Sequence, residues 1–162
     1  MSDIFTKAKR SEVMSRIRSR GNKDTELALM RVFRAQGITG WRRQVVIRIN
    51  AQRSTSNVER SKLSVGRWTF PRPFAVHPDF VFFRSRTAVF VDGCFWHGCP
   101  RHATKPKNNA AFWRKKFAAN RARDRLVTRT LRSANWRVLR IWEHELARKN
   151  GARVVARLRR VL

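Results

Sequence analysis

Acidic residues are scarce in this chain. Ten stand against 38 Lys and Arg in 162 residues, a net charge of +28. Such a balance excludes a like-charged partner and needs a polyanion to offset self-repulsion. Arg dominates the basic set, and Arg suits planar, bidentate contact with phosphate. Nucleic acid is therefore the first partner to expect, with an anionic membrane surface second. Cysteine is nearly absent: Cys94 and Cys99 are the only two. They could close a disulfide, but interleaved with histidines in a chain that reads as intracellular they suit a metal better. No run of about 18 apolar residues occurs, so no membrane span is expected. The first residues lack an apolar signal core, so a cytoplasmic, nucleoid-associated protein is expected. Neither an internal repeat nor a second domain is evident, and residues 1–162 read as a single domain.

The coarse pattern is mixed α/β. Residues 8–19 read as a short basic helix with Val13, Met14 and Ile17 on its apolar side. Thr25 to Gln36 is a better helix, with Leu27, Met30, Val32 and Phe33 at helical spacing, Asp24 or Thr25 as cap and Gly37 as stop. Trp41 to Arg48 reads as a strand. Residues 49–76, rich in Ser, Arg, Asn, Gly and Pro, read as an inserted basic loop or arm, either an ordered excursion or a mobile one. Asp79–Phe83 and Thr87–Val91 form a hairpin across Arg84-Ser85-Arg86. Pairing Phe83 with Thr87 sets Asp79 opposite Val91 and brings Asp79 and Asp92 to the open end. A long helix follows from about Asn109 to Ser133. Its stripe of Trp113, Phe117, Asn120, Asp124, Val127 and Leu131 is apolar at both ends and polar in the middle. Trp136 to Trp142 reads as a strand, and residues 145–162 as a basic terminal helix.

Two constellations carry chemistry. A hard divalent cation at a phosphodiester takes oxygen ligands, usually one or two carboxylates and waters. Asp79 and Asp92 at the mouth of a hairpin supply them, with Glu26 upstream; otherwise these acids serve as turn residues or partners of the many arginines. The second is the run Cys94-Phe95-Trp96-His97-Gly98-Cys99-Pro100-Arg101-His102. Cys94, Cys99 and His102 have the spacing of zinc ligands, and a closed structural site needs a fourth, for which His144 at a strand end is the best candidate. His97, between the thiols, is a spare imidazole and a candidate general base. Phe95-Trp96 and Phe112-Trp113 are bulky pairs suited to wedging into a base stack, or else to core packing.

Taken in order, these residues resemble the very-short-patch-repair (Vsr) endonucleases. The resemblance rests on Arg10-Ser11 with Met14-Ser15-Arg16-Ile17, Thr25-Glu26, Pro78-Asp79-Phe80, Gly93-Cys94-Phe95-Trp96-His97, Phe112-Trp113, Asn120 with Arg123-Asp124-Arg125, and Trp136-Arg137-Val138-Leu139 with Trp142-Glu143. It covers most of the chain apart from residues 49–76. It implies a restriction-endonuclease-like (PD-(D/E)xK) core, a mixed central sheet flanked by helices, with a structural Zn²⁺ site. It implies Mg²⁺-dependent nicking of one strand of double-stranded DNA, 5′ to the thymine of a T:G mismatch left by deamination of 5-methylcytosine. By the same resemblance Asp79 and the Val91 carbonyl bind magnesium, His97 is the base acting on water, and Glu26 is an active-site acid. Phe95, Trp96 and Trp113 wedge beside the mismatch from one groove and Met14 from the other. A monomer with a functional link to a DNA cytosine methyltransferase is the matching expectation. The chain departs from the family's best-known member at Val91-Asp92, where that member has Thr-His; the extra carboxylate of Asp92 could bind metal directly. In the zinc set Cys99, His102 and His144 stand for His, Cys and Cys. The rivals are a related nicking or restriction endonuclease of different specificity, and a zinc-stabilised DNA-binding protein without cleavage.

Overall fold

The computed structural model describes residues 22–49, 74–102 and 109–162, with isolated positions 6, 9, 12, 104 and 106. Apart from positions 9 and 12, the expected helix at 8–19, with Met14, lies outside these described residues, as does the interior of the 49–76 segment.

Among the described residues, the main sheet has four strands in the order β1 (Trp41–Arg42), β4 (Phe80–Phe82), β5 (Thr87–Asp92), β6 (Arg137–Trp142). β1, β4 and β5 pair antiparallel, whereas β5 and β6 run parallel. A parallel neighbour needs a crossover, and helix α2 (Ala110–Ser133) supplies it. β2 (Ile47–Ile49) and β3 (Phe74–Val76) form a separate antiparallel pair. The mixed α/β class expected from the pattern is thus present.

Helices cover both faces of the sheet, so β4 is buried at every position. On one face, Leu29 and Phe33 of α1 (Glu26–Ala35) and Val154 and Leu158 of α3 (Gly151–Val161) pack on Phe80, Val89, Leu139 and Ile141. On the other, Leu131 of α2 packs with Val81, Ala88, Ile47 and Val76. Among the described residues no helix is long and apolar enough to cross a membrane.

Several boundaries differ from the sequence reading. The Trp41–Arg48 strand is two pieces, because Gln44 adopts a positive φ of 56° and turns the chain from one sheet to the other. The hairpin register is Phe82 with Thr87, one residue from the expected pairing. Arg86 takes a left-handed φ of 49° and lengthens the turn to Phe83–Arg86. The slip puts Phe83 outside, 50% exposed. The fully buried line of α1 is Glu26, Leu29 and Phe33, while Met30 and Val32 of the expected stripe pack partly buried against the same core. Thr25 is its N-cap residue but makes no side-chain cap bond. The terminal segment starts as 3-10 turns at Glu143–Leu146 and Arg148–Asn150 before α3 begins. The two ends of the 49–76 segment are joined, since Ile49 pairs with Phe74.

Candidate active site and metal centre

Among the described residues, four acids converge on one cleft of about 610 Å³: Glu26, Asp79, Asp92 and Asp124. Each arrives on a different element. Glu26 is the first residue of α1, and because it lies on the same line as Leu29 and Phe33 it is carried inward to 8% exposure. Asp79 immediately precedes β4. Asp92 ends β5, and Asp124 sits midway along α2. His97 lines the same cleft, so Asp79 and His97 are on one side of the molecule, as the sequence reading requires.

Three of these acids are held by cations. Arg43 Nη2 donates to Glu26 Oε2 at 2.5 Å. Arg140 forks onto Asp92, Nε to Oδ2 at 2.7 Å and Nη2 to Oδ1 at 2.5 Å. Asp124 Oδ2 meets His97 Nδ1 at 2.6 Å, and its Oδ1 lies 3.0 Å from Arg140 Nη2. Burial alone would raise the Asp124 carboxyl; the hydrogen bond and charge of His97, with Arg140, more than offset it and hold the carboxyl below its ordinary range. An ionised carboxylate only accepts, so Nδ1 of His97 is the donor in this bond.

Asp79 is different. Among the described residues it has no ion pair; its Oδ2 accepts the Val91 backbone N–H at 2.7 Å. Burial raises its carboxyl from 3.8 to about 6; the Val91 bond lowers it, while the nearby charges of Glu26 and Asp92 raise it further. The expected meeting of Asp79 with Val91 is therefore present despite the register slip. Asp92, by contrast, has both oxygens engaged by Arg140, the arginine pairing that the sequence left open as its alternative role.

The Cys94–Cys99 loop is pinned from three directions. Its own backbone turns on itself, with Cys99 N–H donating to Cys94 O at 2.9 Å. Glu143 Oε2 accepts the Cys94 N–H at 2.9 Å, and Asn120 Nδ2 donates to the Trp96 carbonyl at 2.7 Å. Gly98 has a φ of +64°, a conformation that favours glycine, and a Cβ there would come 2.9 Å from Arg121 Nη1, so the tip of that side chain would have to move. The ligand atoms of Cys94, Cys99, His102 and His144 all lie within 4.8 Å of one another. Cys94 Sγ is 3.2 Å and Cys99 Sγ 3.6 Å from His144 Nδ1, and Cys99 Sγ is 3.8 Å from His102 Nδ1. Tetrahedral zinc with bonds of ~2.0–2.3 Å sets neighbouring ligand atoms at spacings of this size. Burial pushes the Cys94 thiol up to about 11, so a bound cation is what would stabilise its thiolate. The four residues thus fit a closed structural site.

Phe95, Trp96 and Trp113 are half-buried and packed edge-on, with centroids 5.1 Å apart for Phe95–Trp96 and for Phe95–Trp113. Phe117 closes the group below. Phe112 stands out from it, 59% exposed. The solvent side of α2 is a basic row that includes Arg114, Lys115, Lys116 and Arg123, all exposed. Sequence reasoning missed Arg43, Arg140 and the partnership of Asp124 with His97. For Asp124 a signal was there, a polar residue on an otherwise apolar helical stripe.

Fold and site together define an α/β protein with an acidic cleft, an adjoining Cys/His cluster and a basic helix beside both. A family model described as "DNA mismatch endonuclease Vsr" matches residues 72–103. The Type II nicking enzyme V.NmeAIP of Neisseria meningitidis is 32% identical over 164 residues, covering 100% of this chain and 95% of that enzyme. The Type II nicking enzyme V.NaeI of Lentzea aerocolonigenes is 50% identical over 80 residues, 49% of this chain and about half (48%) of that enzyme's length. The DNA mismatch endonuclease Vsr of Escherichia coli is 40% identical over 67 residues, 41% of this chain and 43% of that one. The chain belongs to the Vsr family of DNA mismatch endonucleases.

Proposed function

We propose that this chain is a magnesium-dependent DNA endonuclease that nicks one strand, 5′ to the thymine of a T:G mismatch arising from 5-methylcytosine. The observation that carries this reading is Asp79. In a cleft where the other acids have cationic partners, it keeps a desolvated carboxyl with no ion pair among the described residues. That is a seat for a cation the protein does not itself supply. Asp79 and the Val91 carbonyl would hold Mg²⁺, with Asp92 beside them; when bound, the ion offsets charge on the phosphate and makes water more acidic.

The chain's own residues do the rest. His97 takes the proton of the attacking water on Nε2, and Asp124 stabilises the imidazolium through Nδ1. Arg123, exposed at the rim of the cleft, and the basic row of α2 hold phosphates. Glu26, braced by Arg43, lines the acidic side of the cleft. Pro78-Asp79 at the start of β4 fits the first element of a PD-(D/E)xK core. Phe112, with Phe95, Trp96 and Trp113 behind it, supplies the wedge, and Met14 the contact from the other groove. Zn²⁺ on Cys94, Cys99, His102 and His144 keeps the His97 loop in place. The protein acts as a monomer alongside a DNA cytosine methyltransferase.

A nicking endonuclease of different specificity is the second reading. It is favoured by the names of V.NaeI and V.NmeAIP, each a Type II nicking enzyme. Strand-specific nicking of matched and T:G duplexes, with and without magnesium, separates the two. Nicking confined to T:G with magnesium supports the first, and nicking of matched DNA the second. If neither magnesium nor manganese yields nicking, the chain is a DNA-binding protein. Asp79→Ala should abolish nicking and leave DNA binding intact.

A further inference from the structure

One side chain on β6 links the acids of the cleft to the imidazole. Arg140 is paired in register with Phe90, and its guanidinium lies over that ring, 4.9 Å from the centroid. It forks onto Asp92, and the same Nη2 that holds Asp92 Oδ1 reaches Asp124 Oδ1 at 3.0 Å. The other oxygen of Asp124 takes His97 Nδ1 at 2.6 Å. Asp92, Arg140, Asp124 and His97 thus make one continuous chain of charge-assisted bonds spanning β5, β6, α2 and the Cys94–Cys99 loop, and it closes on itself loosely, since His97 Nδ1 also lies 3.6 Å from Asp92 Oδ1.

We propose that Arg140 is a positioning residue for His97, with Asp92 as its anchor. The inference rests on the nicking reading above. Asp124 alone could turn about its side-chain torsions and still keep one bond to His97. A planar guanidinium gripping its second oxygen fixes the plane of the carboxylate, and hence the direction in which Nε2 points. Asp92 in turn fixes Arg140, because two parallel bonds to one carboxylate leave the guanidinium a single orientation. Asp92 therefore acts as an anchor and not as a cation ligand. A lysine at 140 could not serve, since one ammonium cannot span both carboxylates in the fork geometry.

Four variants test this: Arg140→Gln, Arg140→Lys, Asp92→Asn, and Asp92→Asn with Arg140→Gln. Each is assayed for single-turnover nicking of a T:G duplex, for DNA affinity, and for the magnesium concentration giving half-maximal rate. Each also gives a ¹⁵N spectrum of the His97 ring without magnesium. Arg140→Gln and Arg140→Lys should lose roughly 10- to 100-fold in nicking rate, with DNA affinity and half-maximal magnesium within about twofold of wild type. Asp92→Asn should do the same, and the double variant should be no worse than Arg140→Gln. The wild-type His97 spectrum should show a single Nδ1–H tautomer, and the Arg140 variants a mixture. A wild-type rate in Arg140→Gln overturns the proposal. So does a several-fold rise in half-maximal magnesium in Asp92→Asn alone, which would make Asp92 a cation ligand. If Arg140→Gln fails to fold, the double variant, with an amide pair for the ion pair, carries the test with the same expected loss. If wild type fails to nick, the functional reading falls. The clamp is then judged by the tautomer spectra, where a single tautomer in every variant overturns it.

Discussion

The raised carboxyl of Asp79 has a thermodynamic consequence that needs no DNA. Moving a carboxyl from 3.8 to about 6 corresponds to ~3 kcal/mol between its neutral and charged forms. The native state holds this proton more tightly than the unfolded chain does. Between about pH 4 and pH 6 the native state therefore carries more protons, so stability falls as pH rises through that window. Above it the full cost is in place. Asp79→Asn removes the charge but keeps an oxygen that can accept the Val91 N–H. In magnesium-free buffer the variant should be more stable than wild type by up to ~3 kcal/mol at pH 7–8, and about equal near pH 4.

Urea unfolding at a series of pH values measures this directly. No chelator is added, so the Cys/His cluster stays as it is. Other carboxyls also titrate: Asp124 and Glu145 are held low by their partners and lose stability as pH falls. They do so equally in both proteins, so the difference curve isolates Asp79. Magnesium should then stabilise wild type and leave Asp79→Asn unmoved. A variant no more stable than wild type at pH 8, or a difference that does not change with pH, would refute the reasoning that Asp79 is a buried charge, without an ion pair among the described residues, that a cation would stabilise.

Three further outcomes are expected. Purified protein should carry roughly one zinc per chain, and Cys99→Ala or His144→Ala should lose it together with several degrees of Tm, because one ligand fewer opens a closed site; a metal-free protein of unchanged Tm contradicts the cluster. Phe112→Ala should leave unfolding free energy within about 0.5 kcal/mol of wild type, since the ring is 59% exposed, while weakening affinity for T:G duplexes; Trp113→Ala, which also removes contacts to Phe95 and Phe117, should lower both. DNA affinity should fall at least ~10³-fold between 50 and 200 mM salt, as expected for six or more phosphate contacts; a flat titration would contradict the charge argument.

How far the site was legible depended on sequence distance. The hairpin that brings Asp79 to Val91 is a local feature, written in two short apolar runs and a turn. Even a register error of one residue did not separate the two, because Asp79 reaches the neighbouring N–H across the ladder. The Cys/His cluster was legible for the same reason, with three of its members in nine residues and the fourth just past the end of β6. The error at the turn had a backbone cause, a left-handed Arg86 that no propensity for arginine would suggest.

What stayed hidden was the pairing of polar groups across elements. Arg140 is one of 38 basic residues and carries no mark of its own until β6 is laid parallel to β5. Yet the helices did mark the polar residues they send into the cleft and its loop. Glu26 shares a line with Leu29 and Phe33, and Asn120 and Asp124 interrupt the line of Trp113, Phe117, Val127 and Leu131. A polar side chain on an inward stripe must find a partner or destabilise the fold. Glu26 found Arg43, Asn120 the Trp96 carbonyl, and Asp124 both His97 and Arg140. In a chain with so few acids, an acid placed where a helix should be apolar was a stronger pointer to the cleft than any motif taken alone.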